Sequence, residues 1–357
     1  MSKSLYSFAA HLRDAISSGF PGGDFDRLAL ELFALQFQHN PAYRKICEAR
    51  KLTPANVQRW TQIPAVPTVL FKELELTGLA PAERTAEFHS SGTTEQKPSR
   101  HFHNTESLAV YETSLWKWFE THFEKTSELV CLTPPSGQAP HSSLIHMFDV
   151  VSRKFGASDS AFVGKMDADG IWTLDFNATL AKLNSSLISR PLPLLLGTAF
   201  SFVHLLDHLA ENDLQFELPK DSCVMETGGY KNRSRVMPKA ELHALITERL
   251  GIPRENIICE YGMSELSSQA YDAPGLASGG SRFFRFPPWA RVQIISPENG
   301  REVAEGETGL IRIFDLANVF SVAAVQTEDL GIRRADGFEL IGRAQQAEPR
   351  GCSLMTS

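Results

Sequence analysis

The chain has 357 residues, of which 42% are hydrophobic and 22% charged, with a net charge of −7. That balance supports a large buried core and excludes wholesale disorder, and a mildly acidic chain without a long basic run argues against nucleic-acid binding. No apolar run reaches the ~18–20 residues of a membrane span; the longest candidate, residues 191–206, is broken by Pro193, Gly197, Ser201 and His204.

In chain order, residues 1–87 read as a helical N-terminal region. No signal-peptide h-region precedes Arg13 and Asp14, so a cytoplasmic location is expected. Phe25, Leu28, Leu32 and Leu35 recur at helical spacing, with Asp24 or Asp26 as a cap. Ile63-Pro64-Ala65-Val66-Pro67 reads as a stiff extended connector. Residues 88–290 then alternate strand, loop and helix. A helix is expected over 105–123, and short buried strands over 129–132, 223–225 and 257–259. A further helix begins near Pro238, carries Leu242, Leu245, Ile246 and Leu250 as its apolar stripe, and ends at Gly251. This alternation predicts an α/β sheet flanked by helices. Residues 291–342 change texture to alternating strands over 291–296 and 309–314, separated by turns at 297–300 and 335–337, which predicts a small β-rich subdomain. Residues 343–357 read as a tail.

The five cysteines are Cys47, Cys131, Cys223, Cys259 and Cys352. None forms a C-x-x-C pair and the count is odd, which argues against a zinc cage and against a disulfide framework. Cys131, Cys223 and Cys259 lie in apolar strand-like runs and read as buried small hydrophobes. Cys352 lies in the polar segment Arg350-Gly351-Cys352-Ser353, where packing offers it little.

Three motifs carry chemistry. Ser90-Ser91-Gly92-Thr93-Thr94-Glu95-Gln96-Lys97-Pro98-Ser99 gathers hydroxyls, a glycine and a lysine in one loop. Such a loop can wrap a polyphosphate, because glycine lets the backbone approach and hydroxyls replace water; an ordinary surface turn is the competing reading. Glu260-Tyr261-Gly262-Met263-Ser264-Glu265 follows a strand, where ligands of α/β sheets gather. Tyr261 can stack on a base, and Glu265 can hold Mg²⁺, which prefers oxygen ligands; a plain strand-to-loop turn would look similar. Thr327-Glu328-Asp329 precedes a hairpin ending in Gly342-Arg343, and Asp329 can accept both hydroxyls of a ribose.

Taken in order, with Gly306-Glu307-Thr308-Gly309 between the last two, these motifs resemble the adenylate-forming superfamily of acyl- and aryl-CoA ligases and luciferase. Ser264 stands where the superfamily usually has Thr, and Glu328 where it has Gly; both carboxylates, Glu265 and Asp329, are kept. The resemblance implies a large adenylate-forming N-terminal-type domain with mixed sheets flanked by helices, plus the β-rich subdomain, and ATP with Mg²⁺. The mobile C-terminal domain that usually follows the Gly-Arg pair, with its lysine, is expected to be missing, since the chain ends at Ser357. Lys231, after the Gly228-Gly229 turn, is the candidate replacement, against a solvated loop lysine.

A short adenylating chain ending in Arg-Gly-Cys-Ser is similar to the acyl-protein synthetase family of the LuxE type. Ile63-Pro64, Phe71-Lys72, Ser142-Ser143-Leu144 and Glu226-Thr227-Gly228-Gly229 also fit that family. The resemblance implies activation of a fatty or other carboxylic acid as acyl-AMP, transfer to Cys352, and delivery to a partner acyl reductase. Two other readings stay open: an aryl or acyl ligase that loads coenzyme A or a carrier protein, and a non-catalytic nucleotide-binding subunit. The Phe-rich stretch 283–289 is expected to line the acyl pocket, face a partner or pack in the core. His141 and His146 stand near the substrate carboxylate or in the core. Nothing in the sequence specifies an oligomeric state.

Overall fold

Two five-stranded sheets carry the architecture of the computed structural model. Residues 4–90, 97–123, 128–156, 161–167, 172–187, 192–229, 234–272 and 282–343 are described. Helices α1 (Leu5–Ser17), α2 (Phe25–His39) and α3 (Pro41–Ala49) lead. Strand β1 (Val66–Pro67), the single turn α4 (Leu70–Glu73) and the antiparallel pair β2 (Ala86–His89) and β3 (Arg100–His103) follow. Next come α5 (Thr105–Phe119), β4 (Leu129–Cys131), α6 (Ser143–Phe155), β5 (Gly164–Met166), β6 (Trp172–Leu174) and α7 (Phe176–Ser186). Then β7 (Leu194–Thr198), α8 (Ala199–Glu211), β8 (Cys223–Thr227), α9 (Lys239–Leu250), β9 (Ile257–Tyr261) and β10 (Ala270–Tyr271) complete the first sheet. The last strands are β11 (Ala290–Ile295), β12 (Thr308–Asp315), β13 (Ala324–Arg334) and β14 (Gly337–Arg343).

The first sheet runs β10-β9-β8-β7-β4, with β4, β7, β8 and β9 parallel and β10 an antiparallel edge. Its strands are apolar on both faces because helices cover both. Val130, Leu195, Val224 and Ile257 pack with residues of α8 and α9, while Cys131, Leu196, Met225 and Ile258 pack with residues of α5 and α6. Local signals set the helix ends. Asn104 caps α5, Ser142 caps α6, and Gly156 and Gly251 adopt the left-handed φ (71° at each) that closes α6 and α9. Pro238 sits one residue ahead of α9 as its cap, rather than in the first turn. Helix α5 ends at Phe119; Phe123 still reaches the core through a turn whose N–H donates to the Phe119 carbonyl.

The second sheet runs β1-β13-β12-β11, with β14 paired to β13. The stiff connector therefore becomes a strand: Val66 and Pro67 pair in parallel with Val325 and Gln326. An edge position tolerates the missing proline N–H. Helices α1 to α3 pack on this sheet, so Leu12, Leu32 and Phe33 share a hydrophobic core with Ile311, Ile313 and Val325. Among the described residues, no helix is long and apolar enough to cross a membrane.

Candidate active site

The parallel strands β8 and β9 end side by side, and the crevice beyond such carboxyl ends is where open α/β sheets bind ligands. Three groups of side chains converge there from separate parts of the chain.

The first surrounds Glu265, which is buried (6% exposed). One carboxylate oxygen accepts from Ser99 Oγ at 2.5 Å, the other from Ser264 Oγ at 3.0 Å. The Glu265 carbonyl accepts from Asn318 Nδ2 at 2.9 Å, and His101 Nδ1 lies 2.9 Å from the Ser264 carbonyl. Ser99 also closes the base of the hydroxyl-rich loop: Ser90 N–H donates to the Ser99 carbonyl (3.2 Å), and Ser99 N–H donates to Ser90 Oγ (2.9 Å). The candidate metal ligand thus stands under the feet of the candidate phosphate loop. Lys97 is exposed at that loop's end; Ser91, Gly92, Thr93 and Thr94 lie outside the described residues.

The second group is Tyr261, Asp329 and Arg343. The Tyr261 hydroxyl donates to Asp329 Oδ2 at 2.8 Å, and Arg343 Nε lies 3.5 Å from Asp329 Oδ1. Asp329 and Arg343 are direct cross-strand partners in the β13–β14 hairpin. Register shifts between Leu330 and Gly331, and Gly342 takes φ +144°, a conformation that L side chains rarely adopt. This irregularity explains the glycine of the Gly-Arg pair, since a bulge re-aims the residue beside it. The Tyr261 ring is held by Phe284, Phe286 and Phe338 at centroid distances of 6.0, 6.4 and 5.2 Å. The Phe-rich stretch therefore packs around Tyr261; Phe283, Phe284 and Trp289 are buried, and Trp289 Nε1 donates to Ser114 Oγ at 2.8 Å.

The third group is Thr227 and Glu260, opposite each other across β8 and β9 and joined by a short hydrogen bond from the threonine hydroxyl. Burial pushes the Glu260 carboxyl up to about 7. A Cβ at Gly262 would meet Glu260 Oε1, so a side chain there would displace the Glu260 carboxylate. Gly228 takes a left-handed φ of +66° just past Thr227, and Gly229 follows in open space. Met263 packs half-buried against the core below.

His141 reaches the start of the hydroxyl-rich loop: its carbonyl accepts from the His89 N–H at 2.9 Å, next to Ser90. His146 Nε2 pairs with Glu112 at 3.1 Å, and the His141 ring stacks on His89 at 4.4 Å. Lys231 and Cys352 lie outside the described residues. Sequence reasoning placed Ser99 at the end of the loop motif and Thr227 in the Glu226–Gly229 run without giving either a role, and passed over His101 and Asp315. The β2–β3 pairing could have flagged Ser99 and His101, because a hairpin returns the loop's far foot to its start. Asp315 accepts from Ser267 N–H, Ser268 Oγ and Ala317 N–H, fixing the chain just after Glu265, and burial pushes its carboxyl up to about 6.

A mixed sheet with buried carboxylates at its strand ends and a β-rich second sheet is the architecture of an adenylate-forming ligase. A solved open conformation of 2-hydroxyisobutyryl-CoA ligase, in complex with 2-HIB-AMP and CoA, superposes with a TM-score of 0.63 over 87% of this chain and 74% of that one; at 14% identity the likeness is one of fold. A sequence model of the acyl-protein synthetase family, LuxE, matches residues 24–357, and the chain belongs to that family of AMP-forming acid–thiol ligases. Long-chain-fatty-acid–luciferin-component ligases from Aliivibrio fischeri and Vibrio harveyi are 25% and 24% identical to it, over 92% and 93% of this chain and 86% of each relative.

Proposed function

We propose that the protein activates a long-chain fatty acid with ATP, holds the acyl group as a thioester on Cys352 and delivers it to a partner acyl reductase. The observation that supports this best is the convergence of Glu265 and Asp329 at the ends of β8 and β9. In the first step a carboxylate oxygen attacks the α-phosphorus, the acyl–phosphate bond forms and pyrophosphate leaves. Negative charge builds up around phosphorus, so donors must be aimed there. Residues 90–94 and Lys97 supply donors for the β- and γ-phosphates, and Asp329 and Arg343 hold the ribose. Lys231 serves the α-phosphate and the substrate carboxylate. Glu265 with the Ser99 and Ser264 hydroxyls is an all-oxygen set, the kind that suits Mg²⁺, which would offset phosphate charge.

In the second step the Cys352 thiolate attacks the anhydride carbonyl. A C–S bond forms, the C–O bond to phosphate breaks, and AMP leaves with the electron pair. A free cysteine titrates near ~8.5, so a few per cent is thiolate at neutral pH, and Arg350 raises that fraction. The acyl group then passes to a nucleophile of the partner and the thiol is restored.

The test is incubation with ATP, Mg²⁺ and a panel of labelled acids, comparing wild type with Cys352→Ser on a denaturing gel. Hydroxylamine-sensitive label on wild type alone is expected, with pyrophosphate release by both. Release by both with label on neither transfers the acceptor role to a separate thiol and overturns the Cys352 step. No release with any acid overturns the activation step.

A further inference from the structure

On the face of the first sheet covered by α9, Glu226 of β8 and Cys259 of β9 are register partners, and His243 of α9 points onto both. All three are buried, at 7%, 3% and 3% exposure. Cys259 Sγ lies 3.0 Å from Glu226 Oε2 and 3.6 Å from His243 Nε2, and the latter two are 3.6 Å apart. We propose that Glu226, His243 and Cys259 bind one zinc-class divalent cation that ties β8, β9 and α9 together.

The geometry carries the argument. Zinc bonds of about 2.0–2.3 Å to sulfur, nitrogen and oxygen at tetrahedral angles put neighbouring ligand atoms roughly 3.3–3.5 Å apart. The three donor atoms here already stand within about half an ångström of that triangle, with one vertex left for water. The donor set is also selective. One thiolate, one imidazole and one carboxylate suit a borderline cation such as Zn²⁺ and not Mg²⁺, which takes oxygen ligands. Charge agrees: a buried carboxylate needs pairing or a metal, and Glu226 Oε2 meets a weak S–H donor and an imidazole. With the thiol ionised, two anionic ligands balance the cation, and Lys239, which pairs with Asp272, also reaches the Cys259 sulfur.

A supporting shell is present. Asp272 Oδ1 accepts from the Cys259 N–H at 2.7 Å, fixing the backbone that carries the thiol, and Asp272 is itself held by Lys239 (2.8 Å) and Arg282 (3.2 Å). The absence of C-x-x-C argued against a zinc cage in the sequence; here the ligands come instead from two strands and a helix. The site is separate from the Glu265 group. Its consequence is local: Glu226 and Cys259 immediately precede Thr227 and Glu260, so the cation would brace the strand ends that form the crevice.

The test is metal analysis of the full chain, untagged, after dialysis against a trace of Zn²⁺, followed by exchange with Co²⁺. One tightly held Zn²⁺ per chain is expected, with thiolate-to-cobalt charge transfer and the intense visible bands of tetrahedral Co²⁺. Cys259→Ser should lose the charge-transfer band, whereas Cys352→Ser should keep it, excluding the thiol of the polar segment. Should Cys259→Ser fail to fold, the wild-type cobalt spectrum and the Tm rise on adding Zn²⁺ still decide. Wild type that holds no stoichiometric metal, or whose cobalt lacks a sulfur band, overturns the proposal and leaves a hydrogen-bonded thiol–carboxylate pair.

Discussion

Tyr261→Phe isolates the hydroxyl that orients Asp329. The ring is retained, and with it the contacts to Phe284, Phe286 and Phe338, so any stacking role of the aromatic face is unchanged. What is lost is a 2.8 Å hydrogen bond to a carboxylate oxygen. Bonds to charged acceptors contribute about 1.5–3 kcal/mol. The Asp329 side chain is 15% exposed, and water can replace part of the lost donor, so the lower end applies. The remaining restraints on Asp329 are its N–H to Thr327 Oγ1 at 3.1 Å and Arg343, whose own side chain is 81% exposed. Nucleotide binding must then order a carboxylate that the wild type holds ready. A cost of about 1.4 kcal/mol corresponds to roughly tenfold weaker ATP binding. Titration calorimetry with ATP measures it, and ATP–pyrophosphate exchange should show a raised KM for ATP with the KM for the acid unchanged. Equal ATP affinity in the two proteins would refute the role of Asp329 as a ribose ligand positioned by Tyr261.

Two further outcomes follow from buried groups and close backbones. Burial depresses the His101 imidazole to about 4, below its unfolded value near ~6.5, so the unfolded chain binds the extra proton. Stability should therefore be lost as pH falls from about 6.5 towards 4, by up to about 3 kcal/mol from this residue; urea midpoints at several pH values should show a flatter profile for His101→Gln, and parallel profiles would contradict the assignment. Gly309→Ala would bring a Cβ to 2.6 Å from the Ile295 carbonyl oxygen, forcing β11 and β12 apart. A loss of about 1–3 kcal/mol is expected from such overpacking, read as a lower Tm, and an unchanged Tm would show that the strands yield freely.

Much of the site was legible because its motifs are short and local. Residues 260–265 straddle the end of β9, so a strand followed by an aromatic-Gly turn already marks a crevice, whereas 327–329 lie inside β13, just before its register shift. The hairpin turn before Gly342-Arg343 made the return of Arg343 towards Asp329 foreseeable, and the structure has them as cross-strand partners. What the sequence hides is long-range. Val66-Pro67 has the chemistry of a connector, and only the edge of β13, far along the chain, makes it a strand. His243 lies in the apolar stripe of α9 as a polar residue with no local reason to be there; its reasons, Glu226 and Cys259, are on two strands. The Phe-rich stretch had three equivalent readings until Tyr261 and Phe338 were seen packed against it.

The hidden part also explains how a loop carrying Glu265 is held without secondary structure of its own. Gln36 of α2 donates to the Asn318 carbonyl at 2.8 Å and accepts from the Ala323 N–H at 3.0 Å. Asn318 in turn donates to the Glu265 carbonyl (2.9 Å) and the Val322 carbonyl (3.0 Å). Asp315 ties Ser267, Ser268 and Ala317 to the end of β12. Buried polar groups must be paired, so each of these bonds removes an alternative conformation of the loop. The chain of contacts runs from an N-terminal helix through the second sheet to a carboxylate at the end of the first. The second sheet is thus part of the site's support as well as the source of Asp329 and Arg343. Packing of α2 on that sheet, distant from any reacting atom, fixes where Glu265 can stand beneath Ser99 and the foot of the hydroxyl-rich loop.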